Sequence, residues 1–160
     1  MSFSSELKEE LSKVSNKNKE CCRLSELAGY LITNCNIARE KNEFVLKMTT
    51  ESASAIRRVY NAFKSFYNVI PVTNIDKQTE GKDTLFELIV SDKDDLQRIF
   101  SNSWINIDVS LQIVIDDSNK IKENECCMRS FMRGVFMGGG SIVDPNSSNH
   151  LEIVLSSTQN

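Results

Sequence analysis

The chain repeats itself. The stretch Glu20–Ile37, ECCRLSELAGYLITNCNI, returns 105 residues later as Glu125–Ile142, ECCMRSFMRGVFMGGGSI, and six of the eighteen aligned positions are identical. Ordinary residue frequencies give about one such match. The identities are Glu20/Glu125, Cys21/Cys126, Cys22/Cys127, Ser25/Ser130, Gly29/Gly134 and Ile37/Ile142. A duplication of this kind has to be read as two copies of one unit before other architectures are considered.

Each copy reads as a helix with one thin face. Ser25, Gly29 and Thr33 fall at i, i+4 and i+8 in the first copy, and Ser130, Gly134 and Gly138 take the same places in the second. Small residues at that spacing form one stripe. They remove the side chains that hold packed helices about 8 to 10 Å apart, so the spacing predicts that the two helices pack on each other along the stripe. Gly29 and Gly134 lie mid-helix, at a cost of roughly 1 kcal/mol against alanine, and so read as packing residues. Gly139 and Gly140 read as helix terminators.

The composition allows one ordinary core: 160 residues, 40% hydrophobic and 26% charged. No apolar run reaches membrane-spanning length and the first residues are no signal peptide, so a cytoplasmic protein with no membrane partner is expected. Its five cysteines, four of them in the doublets Cys21-Cys22 and Cys126-Cys127, then read as reduced and buried thiols. Adjacent cysteines point about 100° apart around a helix. They are not Cys-x-x-Cys, and the only histidine, His150, has no partner spacing, so neither metal nor cofactor is expected.

In order along the chain, the patterning predicts an amphipathic helix at Ser4–Val14 carrying Leu7, Leu11 and Val14, a connector at Ser15–Lys19, and then the first repeat helix. A hairpin follows, with Ile37–Arg39, a turn at Glu40–Asn42, and a strand Glu43–Thr49 whose Phe44, Leu46 and Met48 face inward. A second helix covers Ser52–Tyr67. Val69–Ile75 and Thr84–Val90 form a second hairpin around Lys77–Lys82, and a third helix is opened by a Ser91/Asp94 capping box. Trp104–Ile115 reads either as strand or as irregular packed chain. Asp116–Asn124 reads as a linker, and after the second repeat helix comes a strand His150–Ser156 with Leu151, Ile153 and Leu155 inward. The expected fold class is therefore α+β: helix, hairpin, helix, hairpin, helix, followed by a truncated second copy. The expected organisation is residues 1–18 as N-terminal helix and connector, 19–115 as first repeat, 116–124 as linker and 125–160 as the start of the second repeat. Apolar surface left uncovered in a truncated unit predicts a homodimer or a swapped one.

A helix with close-packing glycine followed by a hairpin, present twice, resembles the LAGLIDADG homing-endonuclease architecture, and Leu27–Cys35 lines up with the name-giving motif. More closely, the start MSFSSELKEELSKV, the two cysteine doublets, Arg133–Ser141 (RGVFMGGGS) and Asp144-Pro145 ahead of His150–Val154 resemble the bacterial WhiA family over essentially the whole chain. The resemblance implies a DNA-binding regulator of sporulation or cell division, nucleoid-associated, with a LAGLIDADG-like region and a separate C-terminal helix-turn-helix domain. That second domain is not in this sequence, and the resemblance makes it the main contact to DNA.

In the nucleases the resemblance points to, an acid at the foot of each motif helix holds divalent metal at the scissile phosphate. The matching positions here are Asn34 and Gly139, which supply no carboxylate, and turn acids such as Glu40 and Asp144 read as solvated. No cleavage is expected. Nor is the chain basic, with 19 lysines and arginines against 22 acids and a net charge of −3. A sheet face with Arg39 and Lys47 as candidate DNA contacts also carries Glu43 and Glu152, and Arg57 and Arg58 read as solvent-facing. Two readings remain open. The region is a non-catalytic scaffold that positions a DNA-binding domain or a regulatory partner protein, or it grips DNA directly on a saddle-shaped sheet. Thiol-based redox or metal sensing by the doublets is a third.

Overall fold

The computed structural model describes residues 2–15, 19–77, 84–102, 104–115 and 121–155. Part of the connector, most of the second hairpin's loop, residues 116–120 of the expected linker and the end of the last expected strand lie outside them.

Helices α2 (Glu20–Asn34) and α5 (Glu125–Gly139) form the spine, side by side. Each runs straight into a strand, β1 (Cys35–Glu40) and β7 (Gly140–Ile142), because the residue after the helix is already extended: Cys35 has φ −95° and ψ 140°, Gly140 φ −86° and ψ 148°. The first strand therefore starts at Cys35 and not at Ile37 as the sequence pattern implied. It pairs with β2 (Glu43–Thr50) through a two-residue turn whose Lys41 and Asn42 both take positive φ, 49° and 65°. Such a turn matches the natural twist of a hairpin.

Helix α3 (Ala53–Tyr67) starts where the Ser52 hydroxyl accepts the Ala55 N–H (3.2 Å), and it stops at Asn68 in the left-handed region (φ 54°). The second hairpin, β3 (Val72–Asp76) with β4 (Leu85–Val90), joins the first through β2 and β4 to give one antiparallel sheet of order β1-β2-β4-β3. Helix α4 (Lys93–Asn102) is capped by Asp92, whose carboxylate accepts the N–H groups of Asp94 (2.9 Å) and Asp95 (3.0 Å). A carboxylate one residue nearer the first turn displaces the expected Ser91 box.

The ambiguous run is a hairpin of β5 (Ile105–Ile107) and β6 (Ile113–Ile115), its turn fixed by the Asp108 carboxylate accepting from the Ser110 and Gln112 N–H groups. The described part of the expected linker is likewise ordered: Ile121–Glu123 is a 3₁₀ turn whose Ile121 is buried in the core. Helix α1 (Phe3–Ser12) lies across α3 and α5 without burying a residue fully, and its Ser4 hydroxyl both donates to the Ile142 carbonyl (2.8 Å) and accepts from the Ile142 N–H (2.7 Å).

The core sits between α2, α3 and the sheet, with Leu31, Leu46, Phe63, Leu88 and Ile99 completely buried. Each large aliphatic or aromatic side chain so placed contributes roughly 1.5–3 kcal/mol. Two strand expectations fail at its edges. Phe44 is 47% exposed because it lies near the hairpin tip, beyond the helices, while Val45 on the other face is buried. Strand β8 (Leu151–Ile153) pairs with β7 but leaves Leu151 and Leu155 57% and 60% exposed, since no described element stands over it.

Candidate functional site

The α2–α5 contact has two-fold symmetry at the level of single atoms. A Cβ on Gly29 would strike the Phe131 carbonyl oxygen and stand 2.8 Å from the Val135 nitrogen. A Cβ on Gly134 would strike the Glu26 carbonyl oxygen and stand 3.0 Å from the Tyr30 nitrogen. Phe131 and Val135 are Glu26 and Tyr30 moved on by 105 residues, so each glycine meets the same place on the other copy. Backbone touches backbone where side chains would normally intervene. Further along, Gly138 leaves room for the Thr33 hydroxyl, which donates back to the Gly29 carbonyl (2.9 Å). At the opposite end Ser25 and Ser130, both buried, donate to the carbonyls of Cys21 (2.7 Å) and Cys126 (2.9 Å) four residues back in their own helices.

At the foot of the pair stand Asn34 and Gly139. The Asn34 side-chain amide donates to the Gly138 carbonyl across the interface at 3.0 Å. Gly139 leaves no space for a side chain, because a Cβ there would strike the Val154 carbonyl oxygen and lie 3.1 Å from the Thr33 Cβ. Neither Gly139 nor Gly140 takes a positive φ. They end the helix, as expected from the sequence, and close approach is what requires glycine there. A divalent ion of the nuclease kind needs several oxygen ligands, carboxylates foremost. These two positions do not fit it, since one offers only a neutral amide and the other no side chain at all, so neither supplies a carboxylate. Glu40 lies 3.6 Å from the Lys47 ammonium, and the Asp144 carboxylate accepts the Asn146 N–H (2.9 Å) within its own turn.

The sheet divides the two candidate DNA contacts. Register places Arg39 opposite Phe44 and Lys47 opposite Asn36, and alternation along β2 then turns Arg39 and Lys47 to opposite faces. Arg39 lies over the Phe44 ring, 5.9 Å from its centroid. On the face away from the helices Lys47 is the only cation among the described strand residues, accompanied by Glu40, Glu43, Asp76 and Glu87. That face is net acidic.

Two clusters escape a reading of the sequence. Arg58, expected in solvent, makes a two-pronged bond to the buried Glu26 carboxylate (2.7 and 2.8 Å) and donates to the Ser12 carbonyl (2.7 Å), tying α1, α2 and α3 together. Arg133 stands 3.9 Å from the same carboxylate. No periodicity marks Glu26, because its counterpart in the second copy is Phe131. The other cluster was within reach: the 105-residue offset applied to both cysteine doublets places them at the same end of the same helix pair. The sulfurs of Cys21, Cys22 and Cys127 all lie within 4.8 Å of one another. Cys22 and Cys127 are buried as expected, but Cys21 and Cys126 are half-exposed, and Cys126 accepts from the Lys19 ammonium at 3.6 Å. Burial pushes the Cys127 thiol up to about 12, while a hydrogen bond from Cys22, with Lys19 beside it, holds Cys126 below the ordinary thiol value.

Comparison with known proteins fits this geometry. The model of the WhiA N-terminal LAGLIDADG-like domain matches residues 20–102, over half of the chain, and that of the WhiA LAGLIDADG-like domain matches residues 128–160. The chain belongs to the WhiA family. It is 35% identical over 155 residues to the probable cell division protein WhiA of Oceanobacillus iheyensis, covering 96% of this chain and 48% of that protein. Against the Bacillus cytotoxicus protein of the same description it is 34% identical over 161 residues, with the same coverage of 96% and 48%. The chain thus spans about half the length of the curated relatives it matches. The crystal structure of the N-terminal LAGLIDADG domain of WhiA superimposes with a TM-score of 0.65 at 22% identity, over 96% of this chain and 66% of that one. Full-length WhiA from Thermatoga maritima gives 0.64 at 21%, over 98% and 46%. The fold is the LAGLIDADG fold, with an antiparallel sheet and five α-helices among the described residues. None of these helices is long and apolar enough to cross a membrane.

Proposed function

We propose that this chain is the non-catalytic LAGLIDADG-like region of a cytoplasmic, DNA-associated bacterial regulator of cell division or sporulation. In this reading it is a scaffold that positions a separate DNA-binding domain or a partner protein. The observation that carries it is the foot of the helix pair, where Asn34 bonds the Gly138 carbonyl and the Val154 carbonyl occupies the place of any side chain on Gly139. In-line phosphoryl displacement by metal needs charge neutralised on both oxygens of the reaction, and this pair has no carboxylate with which to anchor the ions. The acidic outer face of the sheet supports the scaffold over direct gripping of DNA, because phosphate contacts demand cations. The uncovered apolar residues of β8 support self-association, or further strands of the same fold, at that edge.

The test incubates the chain with supercoiled and linear DNA in magnesium and then in manganese. No nicking above the protein-free control is expected. Metal-dependent cleavage that persists through repurification and is lost with an Asn34→Ala variant would overturn the non-catalytic reading.

A further inference from the structure

We propose that Cys21, Cys22, Cys126 and Cys127 form a tetrathiolate site for one zinc(II) ion, which joins the N-terminal ends of α2 and α5 on their two-fold axis.

The geometry is close to what zinc needs. Tetrahedral coordination with Zn–S bonds of about 2.3 Å sets sulfur–sulfur edges near 3.8 Å. Three of the four sulfurs already lie within 4.8 Å of one another. The fourth, Cys126, lies outside that group at the same end of α5, where its sulfur accepts from the Lys19 ammonium at 3.6 Å, and it must turn inward to complete the tetrahedron. Cys126 is the counterpart of Cys21 under the 105-residue offset and takes the same place on α5, which makes it the candidate for the fourth ligand.

Packing explains only half of this cysteine set. Cys22 and Cys127 fill the interface as small apolar residues do, but Cys21 and Cys126 are half-exposed, where packing has no need of a thiol. Electrostatics favours thiolates at this end. Two helix N-termini converge there, neither capped by the side chain of Lys19 or Asn124, and the Lys19 ammonium stands 3.6 Å from the Cys126 sulfur. Four thiolates around Zn²⁺ leave a charge of −2, which these partly offset. An open groove of about 450 Å³, lined by Cys22, Cys126, Asn124, Glu125, Arg129 and Arg133, gives the ion a route from solvent. Binding displaces the thiol protons to the buffer, and no oxidant or reductant takes part.

The test uses the reduced, metal-free 160-residue chain in an anaerobic titration with Zn²⁺ against a chromophoric chelator, and a parallel titration with Co²⁺. One ion per chain is expected, with the sulfur-to-cobalt charge-transfer band and intense visible bands of tetrahedral sulfur coordination. Cys21→Ser and Cys126→Ser alter half-exposed positions and should keep the far-ultraviolet circular dichroism of the parent. Each should weaken binding by at least about 100-fold. Cys35→Ser, remote from the cluster, should bind as the parent does. No stoichiometric uptake, uptake unchanged in Cys21→Ser and Cys126→Ser, or a cobalt spectrum lacking the sulfur band would overturn the proposal.

Discussion

Adding one methyl group at Gly134 drives a Cβ into the Glu26 carbonyl oxygen, and the flanking backbone is helical on both sides, so only separation of α2 from α5 relieves the overlap. Gly134→Ala gains about 1 kcal/mol of helix propensity and loses more than that in packing. We expect a net loss of roughly 1–3 kcal/mol in urea denaturation, and equal or greater stability would contradict the close approach. Arg58→Met removes both prongs from the Glu26 carboxylate. Breaking a buried pair on one side costs about 3–5 kcal/mol, but Arg58 is 24% exposed along its side chain and Arg133 stays 3.9 Å away, so about 2 kcal/mol is the expected loss. Glu26→Gln in the Arg58→Met background should restore part of it, measured by the same denaturation. The thiols differ in a way that alkylation can read. Lowering of the Cys126 value by the Cys22 hydrogen bond and Lys19 means more thiolate at neutral pH, whereas burial raises Cys35 and Cys127. In metal-free protein Cys126 should label first with iodoacetamide, and its rate should fall at pH 7 in Lys19→Ala. Of these residues the glycines were legible in the sequence because they occur twice. Glu26 and Arg58 were not, because a charge on a helix looks the same whether it meets solvent or a partner from another helix.

Elements were legible wherever a local pattern defined them. Alternation gave β2, the polar loop between two apolar runs gave β3 and β4, and the helical spacing gave α1, α2, α3 and α5, but their ends and faces depended on neighbours the sequence does not display. Cys35 extends β1 directly from α2. Asp92 outcompetes Ser91 as a cap because its carboxylate reaches two N–H groups at once. Lys41 and Asn42 shorten the first turn to two residues and thereby fix a register that turns Arg39 away from Lys47. Without that register the charge of the outer face could not be read. The foot of the helix pair makes its own prediction. Restoring acids with Asn34→Asp and Gly139→Asp together should not create a nuclease, since an aspartate at 139 collides with the Val154 carbonyl and displaces β8. The double variant should melt below the parent in a thermal scan and still leave plasmid uncut in manganese.

Among the described residues, two copies of one helix–hairpin unit are clamped along a glycine seam, with an acidic sheet face and exposed apolar side chains on β8. The duplication was visible in the sequence, and so was the family, but the two-fold axis that gathers four cysteines at one end and removes both metal positions at the other exists only once the helices are packed. On the proposed scaffold reading, this seam serves architecture and the sheet beneath it does not hold nucleic acid. Fluorescence anisotropy of a labelled duplex titrated with the 160-residue chain, in a salt series from about 25 to 200 mM, tests it most directly. The scaffold account predicts no saturable binding at micromolar protein even in the lowest salt. Saturable binding that weakens steeply as salt rises, and is lost in Lys47→Ala, would contradict it.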